Sequence, residues 1–115
     1  MKLERELMRG AGPTAVLKVL ESGEKYGYEM VQRLAKTSNG VLAVGQSTLY
    51  PMLYNLEAKG LVASRTEPGL RGRPRRYYRL TAKGKRHLAR QTRQWAALVT
   101  AMQSLGLGSA QGGAA

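Results

Sequence analysis

The run Arg71-Gly72-Arg73-Pro74-Arg75-Arg76 puts four arginines into six residues with no acid among them, and it lies between two short stretches of strand-forming residues. Leu61-Val62-Ala63-Ser64-Arg65 enters through the turn residues Pro68-Gly69, and Arg75 to Leu80 leaves. In the second stretch Tyr78 and Leu80 fall on one side, with Tyr77 and Arg79 on the other, the period-two pattern of a half-buried strand. The two runs read as a β-hairpin with a strongly basic connection, a wing. Almost everything else in the chain reads as helix or connector.

After a polar arm over Lys2 to Arg9, the punctuation Gly10-Ala11-Gly12-Pro13 is expected to precede a short apolar helix through Leu20, ended near Gly23. From Gly27 to Ser38, Met30, Val31 and Leu34 share one face, and Asn39-Gly40 supplies the stop. Val41 to Val44 is a connector or an isolated strand. Gly45, Gln46, Ser47 and Thr48 have a helix-start composition, with Ser47 or Thr48 expected as the cap, and the helix runs to about Lys59. Its leucines at 49, 53 and 56, with Met52, form a core face, which turns Tyr50, Pro51, Tyr54 and Ala58 partly or wholly outward. Pro51 falls in the first turn, where a missing donor costs little.

Helix, helix, helix, hairpin, helix is the order of a winged helix-turn-helix with one added C-terminal helix. The expected fold is therefore mainly α with a small β-hairpin. Residues 1–81 form the winged unit with its N-terminal arm, 82–105 a long helix, and 106–115 a disordered tail of Gly, Ala, Ser, Gln and Leu.

Charge narrows the function. Nineteen lysines and arginines face seven acids, a formal net charge of +12, and the last acid is Glu67. Such a surface calls for a polyanionic partner, nucleic acid first and an anionic membrane surface second. The chain has no cysteine and one histidine, His87, so thiolate metal sites and disulfides are excluded and no metal or other cofactor is expected. With no aspartate and seven scattered glutamates, no catalytic constellation is recognisable, and an enzyme is not expected. No apolar stretch reads as a signal peptide or approaches the roughly 20 residues of a membrane span, so a cytoplasmic protein is expected.

The pieces suit double-stranded DNA. A major groove about 12 Å wide admits one helix, and the helix opening at Gln46 presents Gln46, Ser47, Thr48, Tyr50, Pro51 and Tyr54 at or near the end that recognition helices offer to base edges. Tyr50 and Tyr54 also have a packing reading. Arg71, Arg73, Arg75 and Arg76 suit phosphate or minor-groove contact, since a guanidinium can donate two bonds to one phosphate. Which of them touches DNA is open. A second reading, a non-specific architectural or RNA-associated protein, needs the charge alone.

Thr81 reads as the cap of the last helix. In that helix Leu88, Trp95 and Met102 recur every seven residues, with Leu98 and Leu105 on the adjoining row, Val99 beside them and Gln91 interrupting. Roughly 24 residues make a rod of about 36 Å, more than a chain this small can cover. Pairing with the same stripe of a second copy gives a homodimer on two successive turns of DNA, hence a palindromic operator.

Tyr26-Gly27-Tyr28-Glu29, then Thr48-Leu49-Tyr50-Pro51 with Leu53, Leu56, Glu57 and Gly60-Leu61-Val62, resembles the PadR family of bacterial regulators. The resemblance continues through Gly72 to Thr81 and Lys83-Gly84, covering nearly all of residues 13 to 85. It implies a winged-helix dimer, usually a repressor, joined through its C-terminal helix on an inverted-repeat operator. The single C-terminal helix looks like the smaller subgroup. In multidrug-sensing members of that subgroup a tryptophan on this helix stacks with flat aromatic ligands at the interface. Trp95, on the corresponding helix, is thus implied as a contact for a planar aromatic effector, beside its reading as an interface anchor.

Overall fold

In the computed structural model, which describes residues 1–108, the chain runs α1 (Arg5–Leu20), β1 (Lys25–Tyr26), α2 (Gly27–Thr37), α3 (Gln46–Ala58), β2 (Val62–Glu67), a 3-10 turn (Leu70–Gly72), β3 (Arg75–Leu80) and α4 (Ala82–Ser104). The strands form one antiparallel sheet in the order β1-β3-β2. β2 and β3 pair from Val62 opposite Leu80 to Glu67 opposite Arg75, and β1 adds Lys25 opposite Tyr78. The fold is a winged helix-turn-helix followed by one long helix.

One core serves every element. Val16, Leu17 and Leu20 of α1, Met30 and Leu34 of α2, and Leu49, Leu53 and Leu56 of α3 meet Leu61, Val62, Tyr78 and Leu80 from the hairpin side. Burial of each such aliphatic side chain contributes about 1.5–3 kcal/mol, and the leucine face of α3 is anchored in this way. The alternation in β3 is as expected, with Tyr78 and Leu80 buried and Arg79 exposed. Leu88 also lies in this core at 2% exposure. Its expected place on a dimer interface is therefore corrected: the first turns of α4 pack on their own chain, and a seven-residue repeat cannot tell that packing from a partner's.

Helix ends follow the sequence. Gly60 closes α3 at φ +74°, with the Gly60 and Leu61 amides donating to the Glu57 and Leu56 carbonyls, a Schellman arrangement. Asn39 at φ +53° and Gly40 at φ +85° close α2 in the same way. The Thr81 hydroxyl accepts from the Gly84 amide at 2.9 Å and caps α4. Lys25, buried in β1, donates to Ser22 Oγ at 2.8 Å and to the Gly23 carbonyl at 3.2 Å just after α1. Burial, with Arg33 adding like charge, holds its ammonium below the ordinary lysine range.

Two boundaries differ from expectation. The break at Gly10 to Pro13 does not occur, and α1 passes through it unbroken. Pro13 forgoes only the bond to the exposed Arg9, and Gly12 is buried against α3, where a Cβ would stand 2.8 Å from Met52 Sδ. Gly10 has nothing within 4 Å of such a Cβ. Gly10→Ala is accordingly expected to raise unfolding free energy by about 0.5–1 kcal/mol, through helix propensity alone; urea denaturation at fixed protein concentration measures it, and a loss of stability would refute it.

The second difference is at the C-terminus. Gly106, at φ +95°, and Leu107 fold back on α4, their amides donating to the Gln103 and Met102 carbonyls. The expected tail from Gly106 therefore opens on an ordered helix cap, because a glycine in the left-handed region lets the last carbonyls be satisfied. The remainder of that tail, residues 109–115, lies outside the described residues.

Candidate nucleic-acid interface

α3 begins at Gly45, whose extended backbone forms the cap with no side-chain hydrogen bond. Neither Ser47 nor Thr48 caps the helix, so that expectation is corrected: a glycine can take the cap conformation unaided. Gln46, Ser47 and Thr48 are all exposed around the first turn, with their polar groups uncommitted by capping. Pro51 is exposed one turn later.

The two tyrosines divide. Tyr54 is 54% exposed. Tyr50 is half-buried, and its hydroxyl lies so close to Gly27 at the start of α2 that any side chain there would overlap it. Their rings stack at 6.1 Å between centroids. Tyr50 thus joins the two helices of the helix-turn-helix while keeping one edge outside.

The hairpin tip has a left-handed backbone at Arg71, φ +61°, followed by Gly72 at φ +74°. Such a conformation costs a non-glycine residue about 1–2 kcal/mol. Gly69 permits it, since a Cβ there would overlap the Arg73 carbonyl oxygen across the loop. The result holds Arg71 and Arg73 exposed at the tip.

Arg75 and Arg76 are engaged within the chain. The Arg75 guanidinium lies 4.6 Å from the Tyr26 ring centroid, Tyr26 meets Tyr77 edge-on at 5.6 Å, and Arg65 lies 4.8 Å from the Tyr77 ring. Arg65 also pairs with Glu24 at 2.6 Å and Glu67 at 3.1 Å, and its guanidinium holds the Glu24 carboxyl below the usual range. This ladder pins β1 and the start of α2 to the wing. Arg76 pairs with Glu57 at 3.3 Å. Tyr26, Tyr28, Tyr77 and Glu57 were not singled out as site residues from the sequence; the succession Tyr26-Gly27-Tyr28, aromatic residues around a glycine, was the available signal.

These parts converge. A cleft of about 310 Å³ opens between α3 and the wing, with Gln46 and Tyr50 on one wall, Tyr26 and Tyr28 on a second, and Arg73, Pro74, Arg75 and Arg76 on the third. Cations, aromatic edges and amide donors around one opening suit a phosphodiester chain.

The long helix has a different surface. An open apolar trough of about 1170 Å³ is lined by Leu7, Ala11, Ala15 and Val19 of α1, Leu34 of α2, Leu42 of the connector, and Leu88, Thr92 and Trp95 of α4. Beyond Trp95, every residue from Ala96 to Leu105 is exposed, including Leu98, Val99, Met102 and Leu105. Trp95 is half-buried at the edge between trough and bare helix. No helix among the described residues is long and apolar enough to cross a membrane.

A three-stranded wing edged with arginine, a helix-turn-helix beneath it and a protruding last helix define the winged-helix class of transcription factors. The family model described as Transcriptional regulator PadR-like family matches residues 16–90. The chain belongs to that family and is a transcriptional regulator, not an enzyme.

Several solved structures are similar. A PadR family transcriptional regulator from Eggerthella lenta DSM 2243 is 36% identical, with a TM-score of 0.76, over 90% of this chain and 88% of that one. A PadR-like regulator from Bacillus cereus strain ATCC 14579 is 26% identical, with a TM-score of 0.76, over 90% and 99%. Bacillus subtilis PadR in complex with operator DNA is 27% identical, with a TM-score of 0.68, over 74% of this chain and 48% of that one.

Proposed function

We propose that the protein is a homodimeric repressor that reads an inverted-repeat operator in double-stranded DNA in the cytoplasm. The observation that carries this reading is the shared cleft, where the uncapped first turn of α3 and the arginine wing open side by side. Gln46, Ser47, Thr48, Pro51 and the exposed edges of Tyr50 and Tyr54 address base edges, while Arg71, Arg73 and Arg75 hold phosphates. The relative from Bacillus subtilis, solved on operator DNA, supports the same use of this fold. Residues 1–81 carry the DNA contacts and 82–105 the dimer contact.

Pairing is supported by the bare apolar stripe of α4 and the trough beside it. Trp95, Leu98, Val99, Met102 and Leu105 of one copy cover the same stripe of the other, and the twofold axis sets two α3 helices about 34 Å apart. Trp95 borders the trough, so a planar aromatic effector stacking there changes the spacing of the two helices and releases the operator. Unchanged Trp95 fluorescence and unchanged DNA affinity across a panel of flat aromatic compounds would count against that last element alone.

The test is a salt-titrated binding measurement on the duplex the wild-type protein selects from a randomised library and on a scrambled duplex of equal length. A preference of about a hundredfold or more at near-physiological salt is expected, since specific complexes commonly exceed non-specific ones by about 10³ or more. Arg71→Ala and Arg73→Ala should each weaken both complexes alike and lower the slope of log K against log salt by about 0.9. Equal, salt-quenched binding to both duplexes would refute the reading in favour of a non-specific architectural protein.

A further inference from the structure

Glu57 is the only acid in α3, and it stands one residue from the end of that helix. The end of a helix dipole disfavours an anion there, and this chain has only seven acids in all. What offsets the cost is a closed set of contacts to the wing. Ser64 Oγ, on β2, donates to Glu57 Oε2 at 2.6 Å. Arg76, on β3, donates through Nε to Ser64 Oγ at 3.1 Å and through Nη2 to Glu57 Oε1 at 3.3 Å. Its guanidinium also lies 5.8 Å from the Tyr78 ring centroid, over the residue at the centre of the sheet. Arg76 therefore reaches back across β2 and joins both wing strands to the far end of α3.

We propose that the Glu57–Ser64–Arg76 contact is a latch that fixes the angle between the wing and α3, making Arg76 a positioning residue for DNA recognition and not a phosphate contact. The proposal rests on the DNA-binding reading above. Recognition requires the wing to sit on phosphates while α3 lies in register with base edges, so the two must keep one spacing. With the latch open, the tip arginines still hold the backbone of any duplex, but α3 no longer arrives in register. Preference falls and electrostatic binding stays. The fork geometry matters: a guanidinium can donate to Ser64 and Glu57 together, whereas an ammonium is a point charge with no fixed fork.

Four variants, Arg76→Lys, Arg76→Gln, Glu57→Gln and the Arg76→Gln/Glu57→Gln double, separate the latch from a phosphate contact. The probes are the duplex selected by the wild-type protein and its scrambled counterpart, each titrated with salt. The ratio of the two affinities does not depend on how much of a preparation is folded, so a destabilised variant still reports. Each single variant is expected to lower that ratio about tenfold, a change of about 1.4 kcal/mol, with the salt slope unchanged. The double variant should lose no more than either single one, as for partners in one contact.

Three results overturn the latch: a slope reduced by about 0.9 in Arg76→Gln, as for a lost phosphate contact; an unchanged ratio in Glu57→Gln; or losses that multiply in the double variant. A wild-type protein that selects no duplex from the library is a different failure, because it removes the DNA reading itself and the latch's role with it. A protein that selects a duplex but ignores Glu57→Gln keeps its function and loses only the latch.

Discussion

Leu98→Glu is expected to leave each chain folded, convert the dimer to monomer and lower affinity for the selected duplex by about 10² to 10⁴, the usual gain from joining two binding modules. Leu98 is 44% exposed on its own chain and lies in the half of α4 that touches nothing else. Glutamate is a good helix former there, so the cost falls on assembly. In the proposed pair, two copies of the residue approach across the twofold axis, and like charges replace apolar contact. Sedimentation with light scattering reads the mass, and DNA titration reads the affinity. A persisting dimer with unchanged DNA affinity would remove α4 as the interface.

The second large effect is on folding. Gly84, in the first turn of α4, packs on the Leu61 backbone so tightly that a Cβ would overlap the Leu61 carbonyl oxygen. That oxygen also accepts from the Thr81 amide at 3.1 Å, while Thr81 Oγ1 donates to the Gly60 carbonyl at 2.6 Å and Lys83 Nζ to the Lys59 carbonyl at 2.8 Å. The end of α3 and the start of α4 are thus joined through backbone atoms that cannot step aside. Gly84→Ala should cost about 3 kcal/mol or more, lowering the melting temperature by roughly 12 °C or more for a domain near this size. Calorimetry at matched concentration tests it, and a melting temperature within a few degrees of the wild type would mean that α4 re-docks.

These two sites illustrate what was legible in the sequence. The wing was, because Tyr78 and Leu80 alternate with Tyr77 and Arg79 and the arginine loop admits few other readings. α3 was, because leucines three and four residues apart have one geometric meaning. The two-residue β1 was not: Lys25-Tyr26 shows no alternation and is a strand only because β3 offers it an edge. The break expected at Gly10 to Pro13 followed local propensity, which Met52 packing on Gly12 overrode. The cap assigned to Ser47 or Thr48 followed composition, when the glycine before them sufficed. Leu88 was misassigned because core and seam share one period. The Glu57–Arg76 pair spans 19 residues, and no local pattern announces a contact between two elements whose meeting is decided by the whole fold.

The bare half of α4 ties the regulator to its own abundance. Ala96 to Leu105 has no surface of its own chain to lie against, so the contacts that stabilise it come only from a second molecule. With the paired form as the species that occupies the operator, occupancy at low expression rises with the square of the number of chains per cell. Halving the gene dosage then cuts regulation about fourfold, by mass action. A brief lapse in synthesis frees the promoter before most of the chains are gone.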